Sequence, residues 1–397
     1  MVEPAERLDP VASPATSNGS PAFPEGLPLA RPEVKDPDAV AEDIRRILKS
    51  GILTNGPYVR ELERRTAEYL GVRHCVAVAS CTTGLMLALR AMELSGDAVV
   101  PSFTFSATAH AVAWNGLRPV FADVDSESLT LSPEAAHHAV GVRTSAIVAV
   151  HTFGTPCDVE ALASLAGQNG LRLLFDSAHA FGSMRGSKHI GGFGDAEVFS
   201  LSPTKPLIAG EGGLIATNGD VLAERCRIGR DYGNPGDYDC RFVGLNARMS
   251  ELHAAIALSS LDDIEERILE RNLLAERYRG LLEAIPGLSF PTVHGGDRST
   301  YKDFTVLVDP DDFGMDAARL AVSLLAEGID VRRYYAPPVH AQRAYKHLAR
   351  SNGHLPVTDS AAARVVTLPL WCGMTEAQQK GVAGAIDRIR GAKGDRP

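Results

Sequence analysis

The chain has 397 residues, 45% of them hydrophobic and 22% charged, an ordinary balance for a globular protein with one large core or two domains. Its 40 basic and 49 acidic residues leave a net charge of −9, which argues against a nucleic-acid binder built on a basic stripe. No apolar run approaches the roughly 20 residues that cross a bilayer, and the first residues lack a basic segment followed by an apolar one, so no membrane span and no secretion signal are expected and the cytoplasm is the expected location.

Residues 1–24 are rich in Pro, Ala and Ser without periodicity and are expected to form a flexible arm. From residue 36 onward short apolar runs alternate with helical stretches, the signature of an α/β sheet protein. Strands are predicted at residues 75–79 (CVAVA), 98–101 (AVVP), 119–124 (PVFADV), 146–151 (AIVAVH), 171–176 (LRLLFD), 197–201 (EVFSL) and 213–217 (GLIAT). Several are almost wholly apolar, as in strands covered on both faces. A helix is expected at 85–92. After Gly244 the pattern changes. Residues 250–284 read as one or two long helices, with Ser250 as a plain N-cap. A strand at 304–308, a helix at 316–327, a strand near Val331 and a terminal helix from Thr375 suggest a second, smaller α/β unit. The expected division is a large domain over 25–262 and a small one over 263–397.

The six cysteines are Cys75, Cys81, Cys157, Cys226, Cys240 and Cys372. None forms a C-x-x-C pair, so scattered reduced thiols are expected, with no metal site.

Three polar stretches fall where sheets of this kind gather chemistry, beyond strand ends. Residues 80–84 (SCTTG) join a strand to a helix. Hydroxyl side chains and helix N-terminal N–H groups there suit a phosphate, although taken alone the stretch reads better as a plain Ser/Thr cap. Asp176 closes an apolar strand, with His179 three residues on. A buried carboxylate at that place calls for a cation such as a protonated pyridine nitrogen; the ordinary alternative is a helix cap. Lys205 follows a strand end and precedes a Gly-rich turn (GEGG, 210–213). A lysine shielded from water in such a pocket can form a Schiff base, whereas most lysines face solvent. None of the three decides alone. Their order, phosphate loop, acid, lysine, is the stronger signal.

With these motifs the sequence resembles the DegT/DnrJ/EryC1/StrS family of sugar aminotransferases, from about residue 33 to 390. The matching stretches are 51–57 (GILTNGP), 80–84, 101–108 (PSFTFSAT), 176–179, 200–213, 244–250 (GLNARMS), 334–340 (YYAPPVH) and 368–370 (LPL). The resemblance implies the pyridoxal phosphate (PLP) fold type I: a large domain with a mostly parallel seven-stranded sheet flanked by helices, and a smaller C-terminal α/β domain. It implies that Lys205 carries PLP as a Schiff base and shuttles protons. Thr82, Thr83 and Ser200 would bind the phosphate, Phe105 would stack on the ring, Asp176 would pair with the ring nitrogen and His179 would lie near the phenolic oxygen. Asn246 would reach the cofactor of a partner subunit in a homodimer with shared active sites. Tyr335, His340 and Arg248 would face the sugar. Arg230, Lys302, Arg332 and Arg333 are further candidates for the diphosphate. The implied reaction moves an amino group from L-glutamate to a nucleotide-linked keto-sugar, best matched by dTDP-4-keto-6-deoxy-D-glucose. C3 amination and a non-catalytic PLP-binding regulator are the alternatives. A dehydratase branch has histidine at the Lys205 position, so lysine there favours transamination. Cys81, Ser177 and Ser202 stand where the family usually has Gly, Ala and often His.

Overall fold

The computed structural model describes residues 20–347 and 354–391. Most of the expected arm, residues 1–19, lies outside them. Phe23, near its end, packs on the C-terminal core and donates its N–H to the Glu327 carbonyl at 3.0 Å.

Seven strands form the main sheet: β1 (His74–Val78), β2 (Asp97–Pro101), β3 (Arg118–Ala122), β4 (Thr144–Val150), β5 (Arg172–Asp176), β6 (Ala196–Ser200) and β7 (Gly213–Thr217). Their order across the sheet is β1-β7-β6-β5-β4-β2-β3. All neighbouring pairs are parallel except those made by β7, which runs antiparallel to both β1 and β6. Each of the seven strands predicted between residues 75 and 217 is present.

Alternation along the strands explains why they read as continuous apolar runs. In β1, Val76 and Val78 face the layer that holds the helix Cys81–Ala91, while Cys75 and Ala77 face the layer of the helix Pro57–Leu70. In β5, Leu174 faces one side and Leu173 and Phe175 the other. Both faces are covered, so neither needs polar residues. The polar ends of the parallel strands, Asp176 in β5 and Ser200 in β6, therefore stand at one sheet edge.

The predicted helical stretch 250–284 is two helices, Glu251–Leu261 and Ile264–Leu282, broken at Asp262-Asp263. The second helix joins two cores. Ile264 and Ile268 pack in the main layer, and Leu274, Tyr278 and Leu282 pack in the C-terminal one. That C-terminal layer holds a three-stranded antiparallel sheet, β8 (Leu288–Ser289), β9 (Phe304–Val308) and β10 (Val365–Leu368). It is flanked by the helices Ala317–Ala326 and Glu376–Gly391.

The strand expected near Val331 is absent. That segment makes a single antiparallel bridge, Arg332 to Thr367, before the chain turns away through Pro337 and Pro338. Proline lacks the N–H a ladder needs, so pairing stops there. The third strand comes instead from β10. No helix among the described residues is long and apolar enough to cross a membrane.

Candidate active site

A cleft of about 940 Å³ opens at the edge where β1, β5 and β6 end, and its lining includes Thr82, Phe105, Asp176, His179, Ser200, Lys205 and Tyr335. The wall is completed by Ser80 and Cys81 of the stretch 80–84, by Glu211 of the Gly-rich turn, by Asp303 and Tyr334, to which sequence reading assigned no role, and by Lys302, read only as a diphosphate candidate.

The loop after β1 is built as a capping box. Ser80 Oγ accepts the Thr83 N–H at 3.2 Å, and Thr83 Oγ1 accepts the Ser80 N–H at 3.1 Å. One N–H of the first helical turn is thus satisfied internally, and the others keep the anion-binding character of a helix start. The cap reading of residues 80–84 is what the structure shows, and the cap sits in the cleft wall, where the expected phosphate would have to bind. Thr83 spends its hydroxyl on the box and is not among the lining residues, whereas Thr82 is. Gly213, opposite Val78 in the ladder, lets this loop approach: a Cβ there would stand 2.6 Å from the Ser80 carbonyl carbon.

Asp176 is 4% exposed. Its Oδ2 accepts the Thr108 hydroxyl at 2.7 Å, and its Oδ1 accepts the Ala178 N–H at 3.1 Å, with the Cys81 thiol at 3.9 Å. Burial nevertheless holds its carboxyl above the usual range, against the pull of these donors and of Lys205. A carboxylate so placed needs a cation, and a buried charge without one costs several kcal/mol, on the order expected for an unpaired ion.

Lys205 is partly buried in the wall. Desolvation first, and the Lys302 charge second, push its ammonium down to about 8, while Asp303, Cys81 and Asp176 oppose the shift. That value gives a sizeable neutral fraction near neutral pH, which a nucleophilic amine and proton carrier requires. His179 is 8% exposed and is pushed well below the usual histidine range by burial and by Lys205 and Lys302, so the imidazole is neutral. Its Nδ1 has no hydrogen-bond partner and stands 3.9 Å from Asp303 Oδ2, which is also unpartnered.

Phe105 is the N-cap residue of the helix Ser106–Trp114 and is 61% exposed at the cleft mouth, where its ring is free to meet a bound group. Tyr335 is buried against Phe103 and Phe153, and burial raises its phenol well above the usual range.

Several residues named from the sequence stand outside this cleft. Asn246 is exposed and bridges Asp231. Arg248 pairs with Asp231 and stacks over the Tyr232 ring at 5.2 Å. His340 Nδ1 is 2.6 Å from Ser102 Oγ, and its Nε2 is 3.3 Å from Asp359. Arg230 is buried on Glu63 and the Ala77 carbonyl, Arg332 pairs with Asp330, and Arg333 donates to the Ala362 and Ala363 carbonyls. Of those basic candidates, Lys302 alone lines the cleft. Among the described residues no group of three or more His, Cys, Asp or Glu side chains could hold a metal ion.

The donor set fits PLP. A capped helix start would suit its phosphate, a buried carboxylate could pair with its ring nitrogen, an orphaned imidazole nitrogen lines the same cleft, and a lysine with a lowered pKa stands beside them. A mostly parallel sheet with these groups at its carboxyl edge is the arrangement of a PLP-dependent aminotransferase. The chain belongs to the DegT/DnrJ/EryC1/StrS aminotransferase family, whose model matches residues 35–387. It is a PLP-dependent sugar aminotransferase. A UDP-N-acetyl-3-dehydro-alpha-D-glucosamine 3-aminotransferase of Acidithiobacillus ferrooxidans is 35% identical, over 88% of this chain and 94% of that protein. A dTDP-4-amino-4,6-dideoxy-D-glucose transaminase of Escherichia coli is 31% identical, over 88% and 95%. Among solved structures, DesI in the presence of its TDP-sugar product superposes with a TM-score of 0.89 at 37% identity, covering 94% of this chain and 95% of that one.

Proposed function

We propose that the chain transfers the amino group of L-glutamate to dTDP-4-keto-6-deoxy-D-glucose, giving dTDP-4-amino-4,6-dideoxy-D-glucose for deoxyamino-sugar biosynthesis. The observation that carries this is the meeting of Lys205, Asp176 and the Ser80–Thr82 loop in one cleft. The choice of sugar leans on the likeness to DesI, whose structure holds a TDP-sugar product.

PLP, when bound, supplies an electrophilic carbon and an electron sink. The protein's part is to hold and time it. Thr82 and Ser200, with the helix start, would hold the phosphate, and Thr83, whose hydroxyl is spent on the cap, would serve it only by fixing that loop. Asp176 would keep the proton on the ring nitrogen, Phe105 would cover the ring and His179 would contact the phenolic oxygen. Lys205 Nζ takes the proton from the α-carbon of the amino donor and delivers one to the sugar carbon in the second half of the cycle. Tyr335 would face the sugar; Arg248 and His340, which stand outside this chain's cleft, would do so only through a neighbouring subunit or a closed form.

We read the working unit as a homodimer, with the exposed Asn246 of each chain reaching the other's cofactor phosphate. The large domain would span 25–262 and the small one 263–397, with the helix Ile264–Leu282 as the joint.

Lys205→Ala decides the first level. It is expected to lose the Schiff-base absorbance and turnover, and a variant that keeps both would overturn the assignment. Mass spectrometry and NMR of the product from dTDP-4-keto-6-deoxy-D-glucose decide the second. A C3 amine, the reading favoured by the Acidithiobacillus relative, would replace the C4 assignment. No conversion even in a single turnover with L-glutamate would point to a binding protein.

A further inference from the structure

One pair in the cleft wall has no part in the proposed chemistry. Lys302 and Asp303 follow each other in the loop before β9, and both line the cleft with Lys205. They are 8% and 6% exposed. Lys302 Nζ lies 2.6 Å from Asp303 Oδ1 and 5.7 Å over the Tyr334 ring. Burying two opposite charges against each other is seldom a gain in stability. Their place beside a working amine suggests another use.

We propose that the Lys302–Asp303 pair is a positioning device that sets the protonation of Lys205: the Lys302 ammonium disfavours a second positive charge at Lys205 Nζ, and the Asp303 carboxylate clamped to it limits that effect. This rests on the reading of Lys205 as the cofactor lysine.

A neighbouring recess that Lys205 also lines holds Arg31, Glu33, Arg267 and Arg271. Arg267 is paired with Asp263, and Arg271 donates to the Thr300, Tyr301 and Lys302 carbonyls, so on the cleft side the Lys302–Asp303 pair is the main adjustable field. Burial keeps the Cys81 thiol and the Tyr334 and Tyr335 phenols high and uncharged, and keeps His179 low and uncharged. Glu211 is exposed at the mouth, where water screens it. Asp176 is the remaining buried charge, and the ring nitrogen would engage it. After desolvation, Lys302 is the largest influence lowering Lys205, and Asp303 the largest opposing one. A second ammonium beside the reactive amine is a general means of activating a lysine.

The test is a spectroscopic pH titration of the PLP-loaded protein without amino donor or sugar, whose absorbance reports the proton at Lys205. Lys302→Met is expected to raise the midpoint by about one unit, and Asp303→Asn to lower it by about as much, the scale of one nearby buried charge. The double variant returns toward the wild-type value, because the two charges act as a unit. Lys302→Arg keeps the charge and leaves the midpoint in place. A purely structural pair would give no opposite signs. Shifts of the same sign, or no shift, overturn the inference. Should Lys302→Met fail to fold, Asp303→Asn still decides, since a midpoint that stays or rises overturns it. A Lys205→Ala protein that titrates as wild type would instead remove the cofactor role of Lys205, a separate failure.

Discussion

Thr108 Oγ1 donates to Asp176 Oδ2 at 2.7 Å, so the acid at the end of β5 is held by the helix that follows β2. Thr104 Oγ1, 3.0 Å from Thr108 Oγ1, extends the chain of hydroxyls. The carboxylate proposed to face a ring nitrogen is therefore aimed by an element two strands away across the sheet, not by its own loop alone.

Thr108→Val keeps the shape and removes the donor. Asp176 then retains the Ala178 N–H and the Cys81 thiol, and its carboxyl rises further because burial is opposed by less. A hydrogen bond to a charged group is worth roughly 1.5–3 kcal/mol, so PLP affinity should fall about tenfold or more. Absorbance titration of apoprotein with PLP measures it. An unchanged Kd would mean that Thr108 only packs.

Gly213→Ala tests the approach of β7 to the Ser80–Thr82 loop. The new Cβ would lie 2.6 Å from the Ser80 carbonyl carbon and 2.7 Å from the Cys81 nitrogen, both backbone atoms that cannot swing aside. The loop must shift, at about 1–3 kcal/mol for overpacking. Lower thermal stability and weaker PLP binding are expected together. Gly219→Ala is the control, since the nearest atom its Cβ meets is 3.4 Å away. Equal behaviour of the two variants would dismiss the loop argument.

Glu251 is 1% exposed and accepts the N–H groups of Gly56, Tyr58 and Val59 at 2.8–2.9 Å. One carboxylate thus caps the helix Pro57–Leu70 from the start of another. Glu251→Gln turns an amide N–H₂ toward those donors and should cost about 2 kcal/mol, the scale of an unsatisfied buried group. Denaturant unfolding reads the loss. The absorbance of the PLP-loaded protein should stay as wild type, because Glu251 is not in the cleft wall.

These residues show where sequence reading stops. The seven strands were legible because both faces of the sheet are covered, which writes each strand as an apolar run. Asp176 and Lys205 were legible because polar residues at the ends of such runs stand out. Thr108, Glu251 and Asp303 left no local mark: each acquires its role from a segment far away in the chain. β10 was hidden for a different reason. It follows the helix Pro356–Arg364 with no turn residue between them, so no punctuation announced it. Thr83 read as a phosphate ligand because its type fits. The structure uses its hydroxyl in the cap, a distinction set by geometry rather than by residue type.

Lys205→Met separates the lysine's chemical role from its effect on the fold. In the folded apoprotein its ammonium is lowered to about 8, chiefly by desolvation, whereas an unfolded lysine titrates near 10.4. Below pH 8 both states are protonated, and the folded state bears the full cost of a poorly solvated charge. Between about 8 and 10.4 the unfolded chain binds more protons, so stability of the wild type rises with pH through that window. Above it both states are neutral and the cost is gone. Lys205→Met removes the charge at every pH. The variant should therefore unfold at a higher temperature than wild-type apoprotein at pH 7, and the gap should narrow as pH approaches 10. Paired melts at the two pH values, without PLP, measure it. A gap that is absent at pH 7, or that widens with pH, would show that Lys205 is well solvated and poorly placed to act as a neutral amine.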